Sequence, residues 1–515
     1  MGEKMKTFRG LTLLLLAMML VLGACSGTNN GGGNGGNDGA AAGTDGGESA
    51  AELKPYELNV AFLNVGTVTD LPEVQEAINK ILKEKINATV KLSPIDIGAW
   101  QQQINLMLAG NEKLDLLVTA SGLNFGTQAA KGQLVPLDDL LEKYGQDIKK
   151  VVEPDVLKAA SSNSTIYGVP SVRDWAADYG VLMRKDLVDK YNIDLSTVKT
   201  FDDLDAVFEV IKKNEPEMAA IIPESPSFAV ATSLVPGLID PLNDDNGVLP
   251  GLDNGLKVVN WFETEEYAKI LTMVRRWYDA GFIPKDISTN QTNSEQLVKA
   301  GKAFAFMAHM KPGYENKSSL LTGTEMVAVR ILPPVATTSS ISNVMFSIAK
   351  NSGDPERAMM FLNLLYSDAE LINLIDYGIE GKHYEVKSDN VIGFPSGVDS
   401  SNATYNPNFG WMWGNQFLSY VWEGDAPTVW EEQDAFNKAA KKSAAMGFSF
   451  TVDPVKTEAA AIQNVKDQYK IGLENGTLDP VKYLPEFISK LKAAGIDKVI
   501  AEKQKQLDEW AAANK

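Results

Sequence analysis

Glu57-Leu58-Asn59-Val60-Ala61-Phe62-Leu63 carries the strongest fold signal in the chain when it is read with Ala88-Thr89-Val90-Lys91-Leu92 and Leu114-Asp115-Leu116-Leu117-Val118-Thr119. The first segment alternates apolar and polar residues and then turns continuously apolar, as a strand entering a core does. Asp70 and Pro72 follow it and open a helix with Val74, Ile78, Ile81 and Leu82 on one face. A second helix over 100–108 precedes the third strand, which ends at the polar turn Ala120-Ser121-Gly122. This βαβαβ order predicts an α/β fold whose parallel sheet is covered by helices on both faces.

The same alternation continues outward from this opening. Tyr179 to Met183 reads as a strand running into a helix over 185–191, and another helix starts at Phe201 and ends near Pro216. Glu263 to Gly281 is amphipathic, with Tyr267, Ile270, Leu271, Val274, Trp277 and Tyr278 in its apolar stripe. Ala303 to Met307 is a short strand and Arg357 to Tyr366 a helix. The last third is helix-rich, with Ile496, Val499, Ile500, Leu507 and Trp510 along one stripe. Trp277 and Trp510 are therefore read as core residues.

Composition narrows the chemistry. The 515 residues hold 48 Lys and Arg against 67 Asp and Glu, a formal charge of −19, which argues against nucleic acid as a partner. One cysteine excludes a disulfide framework and Cys-rich metal sites, and two histidines leave little material for imidazole chemistry. The chain has no Gly-x-Ser-x-Gly elbow, no His-Glu-x-x-His and no Walker loop. Asn243-Asp244-Asp245-Asn246-Gly247 has the composition of a calcium loop, but its first ligand position falls on Leu242, so it reads as a polar surface turn. No metal and no cofactor are proposed. A glycosidase carboxylate pair is a weak signal here, because any large acidic chain contains some pair at a suitable separation.

At the N-terminus, Lys4, Lys6 and Arg9 precede the apolar run from Leu11 to Leu22, too short to span a bilayer as a mature helix. The run ends in Leu22-Gly23-Ala24-Cys25, which resembles the bacterial lipobox, so cleavage before Cys25 and diacylglycerol on its thiol are expected. Two acyl chains meet the requirement for stable anchoring that one chain does not. Residues 26–52 form a Gly/Asn/Ala/Ser tether. Cleavage removes Lys4, Lys6, Arg9 and Glu3, leaving 45 basic and 66 acidic residues and a charge of −21. Everything after the tether is expected to work outside the cytoplasm.

Four motifs across the body carry a family resemblance. They are Ile166-Tyr167-Gly168-Val169-Pro170 with Met183 to Leu187; Ala268 to Ile283 with Arg276-Trp277-Tyr278-Asp279-Ala280-Gly281; Lys302 to Gly313; and a C-terminal set made of Tyr377 to Tyr384, Phe409 to Asp425 and Asp479 to Trp510. On these the body resembles the family 1 extracellular solute-binding proteins of bacterial ABC importers, in a Gram-positive lipoprotein branch with a distinctive C-terminal region. One departure is Ser171-Val172-Arg173-Asp174-Trp175, where many relatives carry an Asn-Lys-Glu-like stretch facing the ligand.

The resemblance implies a two-lobed periplasmic-binding-protein-like fold of type II, with hinge-linked lobes and a ligand cleft between them. Residues 1–24 are then the signal and 25–52 the lipidated cysteine and tether. Residues 53–172 with 311–345 form one lobe, and 173–310 with 346–515 the other, the chain crossing near 168–176, 303–312 and 342–350. It further implies a monomeric, lipid-anchored receptor on the extracytoplasmic face of the membrane. Such a receptor captures a small-molecule solute, a neutral or weakly acidic oligosaccharide, and docks to permease subunits without catalysing a reaction. The rival readings are a cell-anchored glycoside hydrolase or lyase and a sugar sensor that transports nothing.

Sugar binding needs flat aromatic faces for ring C–H groups and planar polar groups for hydroxyls. The candidate ligand residues are Asn64 and Ser121 at strand ends, and Arg173, Asp174 and Trp175 in the first crossover. His309 follows the strand starting at Ala303; Trp411 and Trp413 lie in a glycine-bounded loop, and Trp100 opens the second helix. Each has a bland alternative: turn stabilisation for Asn64 and Ser121, an exposed ion pair for Arg173 and Asp174, a structural role for His309, and core packing for the tryptophans. His383 is assigned to a structural turn.

Overall fold

The computed structural model describes residues 53–514 apart from 111 and 163, so the signal, Cys25 and the tether lie outside the described residues. Two five-stranded sheets organise it. In the first, the order is Ala88–Asp96, Tyr56–Asn64, Leu116–Thr119, Met345–Ile348 and Val169–Pro170. Tyr56 pairs with Ala88 and the register runs unbroken to Asn64 with Asp96. The first three strands are parallel, as the βαβαβ pattern predicts. Met345–Ile348 and Val169–Pro170 are antiparallel additions, so the sheet is mixed and not purely parallel. The helix Leu71–Ile86 buries Leu71, Val74, Ile78, Ile81, Leu82 and Ile86, the stripe legible in the sequence.

The second sheet has the order Lys441–Lys442, Met326–Ala336, Ala177–Arg184, Ala303–Met310 and Ala219–Ile222. Here the expected boundaries need correction. Ala303–Met310 lies wholly inside this sheet, antiparallel to Ala177–Arg184, so the chain does not cross at 303–312. Met326–Ala336 also belongs here, not with the first sheet. Its Pro333 and Pro334 hide it in the sequence, because proline ordinarily excludes an interior strand. The pairing shifts register between Arg330 and Leu332 and again between Leu332 and Val335, and the prolines sit in that second irregularity.

Residues 346–422 also move from the expected assignment. The helices Pro355–Leu364 and Ala369–Tyr377, with Phe409, Met412 and Trp413, pack into the core of the first sheet. The passages between sheets are 171–176, 337–344 and the turn after the helix Val429–Ala439. The second passage carries a capping box, in which the Thr337 hydroxyl accepts from the Ser340 amide and the Ser340 hydroxyl from the Thr337 amide. Thr338 ties this passage to the segment after the strand Lys441–Lys442, donating to Ala445 O at 3.1 Å and accepting from Gly447 N at 2.9 Å.

A third core is helical. Lys456–Glu474, Pro480–Ala493 and Ile496–Ala513 pack with Trp261, Phe262, Tyr267 and Leu271. Trp277 is fully buried in the second core, and Trp510 is partly buried against the third. His383 is buried in its turn: Nδ1 accepts from Ile379 N at 2.9 Å, and Nε2 faces Asp70 at 3.2 Å. Gly378 has φ +80, and a Cβ there would come within 2.4 Å of His383 Nδ1. Only glycine serves at that position.

Asp376 sets a pH response. It lies in the first core, accepts a hydrogen bond from Ser419, and has a second carboxyl oxygen without a partner. Burial pushes its pKa up to about 7, against a smaller lowering by Ser419. The folded state thus holds this proton more tightly than the unfolded chain, so stability falls as pH rises from about 4 to about 7, by a few kcal/mol. Asp376→Asn is expected to flatten this slope, as urea unfolding at pH 4.5 and pH 8 checks. A slope equal to that of the parent chain would mean Asp376 does not set it.

Candidate functional site

Between the two sheets lies a cavity of about 840 Å³. Its walls come from the end of the first strand (Leu63), the loop after the third (Gly122, Leu123), the first crossover (Arg173, Asp174), the start of the helix Tyr314–Thr322, and residues 408–433. Four aromatic residues line it: Tyr314, Trp411, Trp422 and Trp430. Four amides join them, Asn343, Asn408, Gln416 and Gln433.

Local structure explains how the rings are held. Gly410–Met412 is a single turn of 3-10 helix that sends Trp411 outward and leaves Trp413 in the core. Trp411 Nε1 donates to Asn408 O at 3.0 Å, and the Arg173 guanidinium lies 5.6 Å from its ring centroid. Trp422 packs edge-on against Phe394 at 4.7 Å and beside Tyr377 at 5.9 Å. Trp430 stacks on Phe417 at 5.9 Å, and its Nε1 donates to Ser419 O at 2.9 Å. With the indole N–H groups of Trp411 and Trp430 satisfied by the protein, what these two offer the cavity is an apolar ring.

The helix Val429–Ala439 buries Val429, Gln433 and Asn437, spaced i, i+4 and i+8 on one face. Asn437 Oδ1 accepts from Trp175 N at 3.1 Å and Ala176 N at 3.2 Å, while its Nδ2 donates to Arg173 O. This amide holds the backbone of the first crossover. Asp174 is bonded by both Arg173 and Lys311. Burial alone would raise its pKa, but these two cations outweigh it and hold the carboxylate below its ordinary value. Asp174 is thus ionised and paired inside the protein. At the rim, Asp425 is raised by burial, with Lys317 and Lys311 pulling the other way.

The expected site residues divide cleanly. Arg173, Asp174 and Trp411 line the cavity. Trp100 and Trp413 do not: both are fully buried in the first core, and Trp413 lies 5.3 Å from Phe62 and 4.8 Å from Phe346. Trp175 is part-buried against that core, with Nε1 donating to Ser171 O at 2.7 Å, and is absent from the cavity wall. Asn64 donates to Asp96 at 3.0 Å, and Ser121 is exposed with its N–H on Ser342 O at 2.9 Å; both sit beside lining residues without lining the cavity. His309 pairs with Glu224 on the second sheet, and its ring lies 6.4 Å from that of Tyr314. Desolvation opposes its charge, yet the bond to Glu224 wins and raises its pKa.

Sequence reasoning missed Trp422, Trp430, Tyr314 and the four amides. The available signal was the exposed turn Glu423-Gly424-Asp425 placed directly after a tryptophan, an apolar ring beside a solvent-facing break.

The comparisons agree with this geometry. A family model described as "Bacterial extracellular solute-binding protein" matches residues 66–371, more than half of the chain, and one described as a domain of unknown function matches residues 444–512. A carbohydrate ABC transporter substrate-binding protein of Streptococcus pneumoniae is 30% identical over 450 residues, 86% of this chain and 88% of the relative. The N-glycan transport solute-binding protein NgtS of Streptococcus pneumoniae has a structure that matches with a TM-score of 0.77 at 28% identity, over 90% of this chain and all of that one. Its complex with Man5GlcNAc matches at 0.62 and 29% identity, again over 90% of this chain and all of that one. The two sheets with their separate cores are the two hinge-linked lobes of that architecture. The chain belongs to the bacterial extracellular solute-binding protein family.

Proposed function

We propose that this chain is the receptor of an ABC importer, anchored through Cys25 to the extracytoplasmic face of the membrane, and that it captures a neutral oligosaccharide between its lobes. The observation that carries this reading is the cavity wall, in which four aromatic residues and four amides join the Asp174 carboxylate paired with Arg173 and Lys311, with Glu423 and Asp425 at the rim. Rings cover the C–H faces of sugars and amides read hydroxyls, whereas an acidic ligand would need an unpaired cation at the centre. Arg173 and Lys311 are already spent on Asp174, and the third lining cation, Lys317, acts on the Asp425 carboxylate at the rim. The glycans held in the NgtS complexes, Man1GlcNAc and Man5GlcNAc, are of the same chemical class.

The lobes then comprise 53–170 with 345–439 and 177–336 with 441–514, turning about the three passages. The same relative matches at 0.77 in one structure and 0.62 in its Man5GlcNAc complex, at equal coverage of this chain. A change of lobe angle about the passages is a motion that produces such a gap. The receptor acts as a monomer: it binds, closes, docks to the permease subunits and releases, with no bond made or broken.

Thermal melting across a glycan panel tests the reading. A neutral oligosaccharide at 100 times its Kd is expected to add about 2.7 kcal/mol of stability, and to be recovered uncleaved. No shift with any glycan would remove the oligosaccharide, and cleavage of a glycan by the pure protein would replace the receptor with an enzyme.

A further inference from the structure

Beside the main cavity lies a second depression of about 400 Å³, between the helix Tyr314–Thr322 and the turn at Gly424. Leu320 and Gly424 border both spaces. Leu320 stands 72% exposed at this boundary. A Cβ placed on Gly424 would meet only the tip of Leu320, at 3.7 Å, and one placed on Gly323 would meet nothing. The boundary between the two spaces is therefore one leucine side chain in near contact with a residue without a side chain, a closure that a different Leu320 rotamer would open.

The outer space has its own binding chemistry. The Asn316 amide and the Thr324 hydroxyl line it, and neither bonds a protein group among the described residues. Ser319, by contrast, is occupied, donating to Glu315 O at 2.7 Å and accepting from Met326 N at 2.9 Å. Glu325 lies 3.7 Å from Lys185. An exposed leucine with an open amide and an open hydroxyl is a small version of the inner wall: an apolar face for C–H groups and polar groups for hydroxyls. The inner cavity already falls in the range of roughly 300–1,000 Å³ that encloses a compact ligand.

We propose that the outer depression is a further subsite, taking the distal residues of a longer oligosaccharide that passes over Gly424 once Leu320 turns aside. This rests on the oligosaccharide reading above. The test uses the full chain and ladders of mannosyl, glucosyl and galactosyl oligosaccharides from di- to hexasaccharide, with Man1GlcNAc and Man5GlcNAc included, by calorimetry. The parent chain is expected to bind the long member of its preferred ladder about tenfold tighter than the short one. Asn316→Trp, which fills only the outer space, is expected to erase that gain while the short member keeps its Kd within about twofold. Thr324→Tyr is the second variant, should the first melt early. Equal affinity for long and short members in the parent chain overturns the subsite, as does a variant that weakens both or neither. Absence of binding across every ladder fails the oligosaccharide reading itself and takes the subsite with it, a result distinct from binding without length preference.

Discussion

Lys503→Met is expected to lower the unfolding free energy by about 3 kcal/mol, the lower end of the cost of orphaning a buried ion pair. The Lys503 side chain is 0% exposed, and its ammonium reaches Asp244 Oδ1 at 2.7 Å, Gly247 O at 2.9 Å and Asp244 O at 3.3 Å. Methionine keeps the apolar stem and removes the charge, leaving two carbonyls without their donor and the Asp244 carboxylate with the Asn246 amide but no cation. Asp244 retains 31% of its side-chain exposure, so water recovers part of the loss, and this places the figure at the lower end. Burial pulls the Lys503 pKa below the ordinary lysine value, with Asp244 opposing. The folded state therefore releases this proton first, and stability is expected to rise as pH climbs from the depressed value toward the unfolded lysine range. The cost of the variant thus comes from the abandoned acceptors, not from a strongly favourable charge. Asp244→Asn combined with Lys503→Met is accordingly expected to cost less than Lys503→Met alone. Denaturant unfolding of the two variants decides it: a double variant worse than the single one would refute the account.

The same lysine explains why the loop 243–247 is not the surface turn its composition suggested. Lys466 and Lys470, from the helix Lys456–Glu474, both bond Asp245, and Lys466 also reaches Asn246 Oδ1 at 3.3 Å. Three ammonium groups from the C-terminal helices meet the loop where its carboxylates turn inward. Asp245 is held far below the carboxylate range by Lys470 and Lys466, although burial alone would raise it. The C-terminal region is fastened to the second lobe by this charge cluster as well as by its apolar core.

What the sequence made legible follows from period and length. The opening βαβαβ is local, each strand and stripe visible within about ten residues, and it stands with its parallel register intact. Met326–Ala336 was hidden by Pro333 and Pro334, because its tolerance for proline comes from irregular pairing with Ala177–Arg184 that no local pattern announces. The site was legible at the crossover, through Arg173 and Asp174, and in the glycine-bounded loop, through Trp411. Asn64 and Ser121 are candidates because ligands gather beyond strand ends, but the cavity wall there is built by Leu63, Gly122 and Leu123 instead. Residues 408–433, which supply Trp422, Trp430 and Gln433, have short irregular elements and a polar buried stripe. Neither leaves a periodic trace, so only tertiary placement reveals them.

The second large effect concerns those residues. Trp422→Ala and Trp430→Ala are each expected to weaken binding of the glycan found by thermal shift by about 30-fold, or about 2 kcal/mol, as buried tryptophan anchors do. Each ring is braced from one side, Trp422 by Phe394 and Tyr377 and Trp430 by Phe417, so its position is fixed before ligand arrives. Preorganised rings lose little entropy on binding, which is why their removal is costly. Phenylalanine at either position keeps a flat face and is expected to recover part of the affinity. Trp175 provides the contrast: its ring packs on the first core and its N–H is bound by Ser171 O, so Trp175→Ala is expected to lower the melting temperature of the unliganded chain more than either cavity variant does. Calorimetry of the five variants beside their melts separates packing from recognition. Unchanged affinity in both Trp422→Ala and Trp430→Ala would place the solute elsewhere, because both rings stand on the cavity wall.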